Sequence, residues 1–438
     1  MAIPARRMRA RVSGGVACLT LLGLAPGALG AGVSMASTVP PVARSVAALA
    51  GRPAVPAPGE SSSLDGVTCT SAAICWAVGN YTRGSTDFNQ ALRWNGRRWT
   101  RIPVPGRGNN ATDAYTTLGD VTCVTPASCW AVGALGRRDG SEHNQIVHWN
   151  GRAWSPVSVP DPGATTTTTL NELYGVSCAA PASCWAVGAR SSDAGFEHNQ
   201  VMHWNGRKWS LVTVPDLGGL ASTGDNELFG VSCPARASCW AVGTSSQSDA
   251  TPQLNQVLHW NGRRWSRVSV PTPRPKGLSV LSGVSCPSPS SCWAVGGYVI
   301  ASGGANSTIT VLNQALHWDG RRWSLVAVPD QDGTSEGAGN QLIDVSCTSP
   351  ASCWAVGSSG NVGDKVIGGT ELNQAMHWNG RKWSLAATPD PGGTGFAATN
   401  LLIGVSCASA ASCWAVGFVG SNGANEALRW NGRRWTAG

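Results

Sequence analysis

One unit recurs seven times along the chain and limits what it can fold into. In its fourth copy it reads Leu228-Phe-Gly-Val-Ser-Cys233, then five residues, then Cys239-Trp-Ala-Val-Gly243. After an insert of variable length it continues Asn255-Gln-Val-Leu-His-Trp-Asn-Gly-Arg-Arg-Trp-Ser266 and ends at Pro271. All 21 tryptophans lie in these copies, three in each, and so do 14 of the 15 cysteines, two in each. A unit repeated at this length cannot bury its apolar face alone, so it stacks on its neighbours as a solenoid, a propeller or an array.

Each copy reads as four strands. Leu-x-Gly-Val-Ser-Cys is short and partly β-branched, and Cys-Trp-Ala-Val-Gly is an apolar run suited to a strand buried on both faces. The third run, Asn-Gln-x-Leu-His-Trp, and the fourth, Arg-x-Trp-Ser-x-Val-x-Val-Pro, flank Asn-Gly, a strong hairpin signal. A two-residue turn there would set Trp260 opposite Arg263 and Leu258 opposite Trp265. No segment sustains a 3.6-residue period, so no helix beyond a single turn is expected. Copies starting near Leu64, Leu118, Leu173, Leu228, Leu281, Leu342 and Leu402, with cysteine periods of 53 to 61 residues, predict an all-β fold. The expected form is a seven-bladed β-propeller of four-stranded antiparallel blades over 64–436, with the third tryptophan of each copy packed between blades. The last copy lacks the Val-x-Val-Pro stretch and predicts a short final strand.

Gly96-Arg-Arg-Trp99 and its six counterparts match the Gly-x-x-Trp half of an Asp box. From Leu64 to Trp435 the chain resembles the Asp-box (sialidase-type, BNR) repeat. It is closer still to the photosystem assembly-factor propellers and Kelch-like repeats of secreted actinobacterial proteins. It departs from the Asp box in one respect: Trp94 stands where the aspartate would be, two residues before the glycine. The resemblance implies a β-propeller; the arginine triad and tyrosine nucleophile of a sialidase cannot be placed.

Arg6, Arg7, Arg9 and Arg11 precede an apolar run from Val16 to Leu24 and then small residues, the pattern of a secretory signal peptide over 1–36. Cleavage after Ala36 or after Gly30 fits. The run is too short to span a bilayer, and no other segment predicts a transmembrane anchor. Cys18 falls inside it. Removing 1–36 takes four arginines and no acid, so the net charge falls from +8 to +4, which weakens the case for a nucleic-acid partner. Residues 37–63 read as a disordered Pro/Ala-rich linker.

In an exported chain the pairs Cys69/Cys75, Cys123/Cys129, Cys178/Cys184, Cys233/Cys239, Cys286/Cys292, Cys347/Cys353 and Cys407/Cys413 predict seven disulfides. Each closes a loop worth about 2 kcal/mol in the chain-entropy model, a local staple on the first hairpin of its blade. None joins the first blade to the last, so ring closure is expected to rest on packing.

In an up-and-down blade the Cys-bounded turn and the Asn-Gly turn share one face of the disc. The second loop and the link to the next blade share the other. The first face is nearly invariant and basic, with Arg97, Arg98, Arg152, Arg207, Lys208, Arg263, Arg264, Arg321, Arg322, Arg381, Lys382, Arg433 and Arg434 following the turns. The second varies and carries Asp113, Asp139, Glu142, Asp193, Glu197, Asp225, Asp249, Asp330, Asp332, Glu336 and Asp364. Variable loops on a rigid scaffold are where binding usually sits. The ligand-binding candidates there are Tyr81, Tyr115, Phe196, Tyr298 and Phe396 with Asp330, Asp332 and Glu336, since exposed rings among polar groups suit sugar stacking. Asp330, Asp332 and Glu336 are also a calcium candidate, though short of EF-hand spacing. No other cofactor or metal is expected.

The histidines before the second tryptophan (His148, His203, His259, His317 and His377) read as packing groups, replaced by Arg93 and Arg429 in the end copies. The Asn-Gln pairs read as backbone hydrogen-bonders at blade edges. Gly333-Thr-Ser335-Glu-Gly337 matches a nucleophile elbow but lacks the strand-to-helix context. The sequence therefore predicts a secreted, monomeric, non-catalytic module presenting its variable loops to a glycan or extracellular protein. One alternative is an envelope-associated protein binding an anionic cell-wall polymer through its basic face. A lower one is a polysaccharide hydrolase or lyase, whose mark would be carboxylates converging over the central channel.

Overall fold

The computed structural model describes residues 61–84, 86–106, 113–163, 169–191, 196–217, 223–248, 251–274, 277–301, 309–361, 370–420 and 423–438. The expected signal peptide and most of the expected linker lie outside them, as do Asp193, Asp249, Asp364 and the Asp113 side chain. The described residues are all-β with no helix, and hence no helix long and apolar enough to cross a membrane.

Each copy of the repeat forms a four-stranded antiparallel unit. The first comprises β1 (Ser62–Ser71), β2 (Ile74–Arg83), β3 (Thr86–Trp94) and β4 (Trp99–Arg101). The pattern continues in chain order to the last, β25 (Asn400–Ser409), β26 (Ser412–Val419), β27 (Ala424–Trp430) and β28 (Trp435–Ala437). Ser62 and Ser63 belong to β1, so the linker ends earlier than the sequence suggested. Strand β28 is short as expected, yet β4 is also three residues long. The Val-x-Val-Pro stretch is not strand beyond Val326 of unit five; Val104, Val268 and Val328 instead pack against the core.

Two backbone details depart from expectation. Between the third and fourth strands, Trp260 pairs with Trp265 and Leu258 with Arg267, so the loop holds four residues rather than two. The reason is Asn261, whose Oδ1 accepts the amides of Arg263 and Arg264 at 3.0 and 3.1 Å. Only Gly262 then takes a positive φ, 87°. The second detail is a bulge at every Leu-x-Gly: Leu64 pairs with Gly79 but Gly66 with Val78, leaving Asp65 out of the ladder. A Cβ on Gly79 would lie 2.0 Å from the Ser63 carbonyl oxygen. The glycine of Trp-Ala-Val-Gly is therefore required where the bulged strand crosses it.

The cores lie between units, not within them. Trp185, Val187 and Val201 of unit three pack with Leu228, Val231, Cys239, Leu258 and Trp265 of unit four. The third tryptophan of a unit meets the first of the preceding one edge-on, as in Trp185–Trp265 at 5.2 Å and Trp76–Trp154 at 5.1 Å. Such a pair adds about 0.5–1.5 kcal/mol beyond burial. The same contacts join last to first: Trp414 lies 4.7 Å from Trp94 and 5.0 Å from Trp99. The first strand of each unit touches the first strands of both neighbours, β25 and β1 included, so the order of contacts is circular.

All seven disulfides form within the first hairpins, a cysteine usage that suits an oxidising, extracellular environment. Each bond is a staple within its own hairpin, as expected, but one of its sulfurs also packs on the neighbouring unit. The second cysteine of each pair (Cys75, Cys129, Cys184, Cys239, Cys292, Cys353 and Cys413) is 1% exposed or less. The physical reason is its place in the apolar Cys-Trp-Ala-Val run, which faces the neighbouring unit. Cys129 shares a core with Trp76 of the unit before it, Cys184 with Trp130, Cys239 with Trp185 and Cys292 with Trp240. Cys353 lies with Trp293, Cys413 with Trp354 and, across the join, Cys75 with Trp414. These sulfurs are thus packing atoms of the inter-unit cores, out of reach of any ligand.

Polar groups repeat the connection between units. The serine before the first cysteine accepts the amide of the next unit's cysteine, as in Cys233 N to Ser177 Oγ (3.1 Å) and, across the join, Cys69 N to Ser406 Oγ (3.0 Å). The Asn-Gln pairs bond backbone as expected, but they also bond one another. Asn144 and Gln200 exchange hydrogen bonds of 3.0 and 2.8 Å, and Asn425 and Gln90 close the circle at 3.1 and 2.7 Å. In the last unit Glu426 replaces glutamine and accepts from Asn373 at 2.6 Å. The five histidines stack on the first tryptophans, His259 on Trp240 at 4.1 Å, and Arg93 lies over Trp76 at 5.8 Å. Packing is their role.

Candidate functional site

The candidates named from sequence are spread over several units. Tyr81 stacks on Phe88 at 5.5 Å beneath the Arg101 guanidinium at 4.3 Å. Tyr115 lies against Gly136, where an added Cβ would clash with the ring, and Phe196 is half-buried. Phe396 stands 78% exposed on its own loop. Asp330 acts on Tyr298: burial, then the Asp330 charge, raises the Tyr298 phenol, and burial raises Asp330. Asp330 Oδ1 accepts the Asn313 amide at 2.9 Å, while Asp332 and Glu336 are exposed. The calcium candidate is not assembled, because no group of three such ligands comes together among the described residues.

What the fold does assemble is a set of acids that the sequence scattered. The bulge turns the residue after each leucine out of the ladder, and the first strands of neighbouring units pack closely enough that a Cβ on Gly66 would lie 2.7 Å from the Asp120 Cα. Asp65, Tyr174, Phe229, Ser282, Ile343 and Ile403 occupy that position around the axis. Next to it, Asp120 accepts the amides of Val121 (2.7 Å) and, in the next unit, Val176 (2.8 Å). Asp344 does the same with Val345 and Val405 at 2.7 and 2.8 Å. Burial pushes Asp65 and Asp120 up to about 7 and Asp344 to about 6.

The principal cluster is in units two and three, on the variable-loop side. Glu142 begins the third strand of unit two and Glu197 that of unit three, while Glu172 and Tyr174 lie on the first strand of unit three. Burial, then the charge of Glu142, holds Glu172 well above the ordinary carboxyl range. Glu142 and Glu172 hydrogen-bond to each other, which two carboxyl groups do only by holding a proton between them. Tyr174 hydrogen-bonds Glu172, and its phenol is pushed up by burial and by all three glutamates. The ring lies 5.5 Å from Phe229. Across the circle, in units six and seven, Ile343, Leu401 and Ile403 pack together with Phe418 beside them. The axis therefore carries the glutamate cluster on one side and, across from it, an apolar patch with the buried Asp344 beside it.

Behind the cluster stand two histidine–aspartate pairs, His143 Nδ1 to Asp161 Oδ2 at 3.0 Å and His198 Nδ1 to Asp216 Oδ2 at 3.3 Å. His143 Nε2 also lies 3.1 Å from Ser141 Oγ, the order of contacts of a Ser-His-Asp triad. It does not act as one here. The Ser141 hydroxyl donates to Asp139 Oδ1 at 2.6 Å, and the serine is only 3% exposed. A nucleophile needs its proton aimed at the base and its oxygen open to substrate.

Sequence reasoning named Glu142 and Glu197 only as loop acids and passed over Glu172, Tyr174 and both histidines. One signal was present: Glu-His precedes Asn-Gln in copies two and three and in no other.

No protein-family model matches the chain, and no curated protein does. Solved structures similar to it include YCF48 bound to a D1 peptide, at 14% identity and TM-score 0.41 over 76% of this chain and 86% of that one. The BP39L lectin from Burkholderia pseudomallei gives 11% and 0.46 over 86% and 98%. A six-bladed β-propeller lectin from Aleuria aurantia gives 12% and 0.37 over 72% and 91%. At these identities no ligand-binding residue carries over.

Proposed function

We propose that this chain is a secreted, non-catalytic binding module, a seven-bladed β-propeller over about 64–436 with Asp-box-like, Kelch-like hairpins. It takes a protein or glycan partner on its variable-loop face. The circular contact order and one four-stranded unit per copy support the propeller. The observation that carries the binding site is the convergence of Glu142, Glu172, Glu197 and Tyr174. Acids buried this close together keep protons because burial first, and then the repulsion between their charges, disfavours ionisation. A ligand ammonium or guanidinium would replace the proton and relieve the repulsion. The favoured partner is thus a protein segment presenting lysine or arginine, with an amino-bearing glycan second. Tyr81, Tyr115, Phe196, Tyr298 and Phe396, with Asp330, Asp332 and Glu336, are proposed as outer contacts. A rigid ring holds such loops at little entropic cost on binding.

A polysaccharide hydrolase draws support from the same proton-sharing pair, which has the raised carboxyl of a general acid. One experiment separates the readings: basic peptides and a glycan panel are tested for binding and turnover with wild type, Glu172→Gln/Glu197→Gln and Tyr115→Ala/Tyr298→Ala/Phe396→Ala. Binding of a cationic ligand that the Glu variant loses supports the proposal. Turnover by wild type overturns the non-catalytic reading, and binding unaffected by either variant overturns the site.

A further inference from the structure

We infer that the opposite face, which the proposed binding site does not use, is a docking surface for a planar anionic lipid membrane. Thirteen cations follow the third turns, from Arg97 and Arg98 round to Arg433 and Arg434, and every one is exposed. None has a carboxylate ion-pair partner among the described residues, where the recorded pairs are the two histidine–aspartate contacts. Asp319 is the one acid in these turns, and it is occupied: its Oδ1 accepts the amides of Arg321 and Arg322 at 2.8 and 2.9 Å. Arg236, in a Cys-bounded turn that the sequence reading left out, adds a further exposed cation.

The turns are built alike. In each, the Asn or Asp side chain caps the next two amides, and the glycine has φ between 87° and 92°. Third and first turns touch, since Trp260 Nε1 donates to Arg236 O at 3.1 Å and Trp318 Nε1 to Pro289 O at 3.2 Å. Trp204, Trp260, Trp318, Trp378 and Trp430 are half-exposed beside the cations, the mixture of indole and basic side chains that suits a membrane interface.

Turns built alike on a circular repeat fall together on one face. Only a flat partner meets all of them at once, whereas a linear polyanion reaches an arc. Each cation near an anionic surface raises partitioning by about fivefold, so a ring of them suffices without an inserted apolar segment. Docked this way, the chain points its acidic, ligand-binding face away from the lipid.

The test is flotation of the full secreted chain with phosphatidylcholine vesicles containing none or about a third phosphatidylglycerol, at low and high salt, with inorganic polyphosphate as a competing linear polyanion. Expected are binding to the anionic vesicles alone, its loss at high salt, and a drop of about tenfold or more in Arg263→Ser/Arg264→Ser/Arg321→Ser/Arg322→Ser. The matching Arg→Lys variant keeps binding, which separates charge from folding. The Glu172→Gln/Glu197→Gln chain also keeps it, so this surface and the loop-face site fail independently. No binding to anionic vesicles, or tight binding to polyphosphate in place of vesicles, overturns the inference.

Discussion

The two faces of the ring come from one repeat and differ in what the repeat fixes. On the basic face, first and third turns keep their length from unit to unit, because Asn261 and its counterparts cap the turn and the half-buried tryptophans beside them tie it to the first turn. On the loop face ties also recur, as in Gly163 N to Asn171 Oδ1 and Gly392 N to Asn400 Oδ1, but they hold only the bases of loops whose length and chemistry vary. Repetition multiplies a weak feature into a surface. Variation allows one site at one place, here units two and three. A propeller of identical units would have neither the acidic cluster nor the apolar patch across from it.

The comparison breaks hardest at the join. Trp414, 1% exposed and packed on Trp94 and Trp99, serves the scaffold and neither face. Trp414→Ala should cost about 3–5 kcal/mol and weaken both surfaces together, measured by denaturant unfolding and both binding assays. If the chain keeps its stability, the circle is not closed by this contact.

Next is Glu426, which burial pushes up to about 8 and which stands where other units have glutamine. Its folded value exceeds its unfolded one, so its favourable contribution is full in acid and is lost as pH climbs from about 4.5 toward 8. Glu426→Gln should raise stability at pH 8 by about 4 kcal/mol and leave it nearly unchanged at pH 4. Equal effects at both pH values would contradict the buried, protonated assignment.

Smaller is the loss of one disulfide. Cys233→Ala/Cys239→Ala should cost about 2 kcal/mol; alanine is chosen because a serine hydroxyl at the buried Cys239 would add a cost of its own. Alkylation of the unreduced native chain should label none of the fourteen repeat cysteines. Labelling without reduction would mean open thiols. Smallest is Phe396→Ala: at 78% exposure the ring should contribute within about 0.5 kcal/mol to stability, and its removal should be felt only in loop-face binding. A clear fall in melting temperature would show that the ring anchors its loop.

Much of the fold could be read directly because the repeat states it seven times. Strand number, the inter-unit tryptophan, the cysteine pairing and the packing histidines all follow from residue type and spacing, which act locally. Even the error at the Asn-Gly turn was local: a two-residue turn leaves out the capping reach of the Asn261 side chain, with which only Gly262 takes a positive φ. The depth of the disulfides was not local in this sense, since Cys239 is covered by Trp185 of another copy.

The site was a different matter. Glu172 and Tyr174 sit in a strand whose other copies carry Asp65, Phe229 or Ile403, and nothing in the sequence says that the bulged position faces an axis. Glu142 meets Glu172 only because the third strand of one unit begins beside the first strand of the next once the units have stacked. The sequence by itself determined the unit, its strands and its cysteine pairs, since hydrogen-bonding pattern and side-chain periodicity are properties of a short stretch. Only the tertiary structure decided which charges lie together and keep their protons, because repulsion and desolvation depend on distance through space, and the stacking of units brings together residues from different copies.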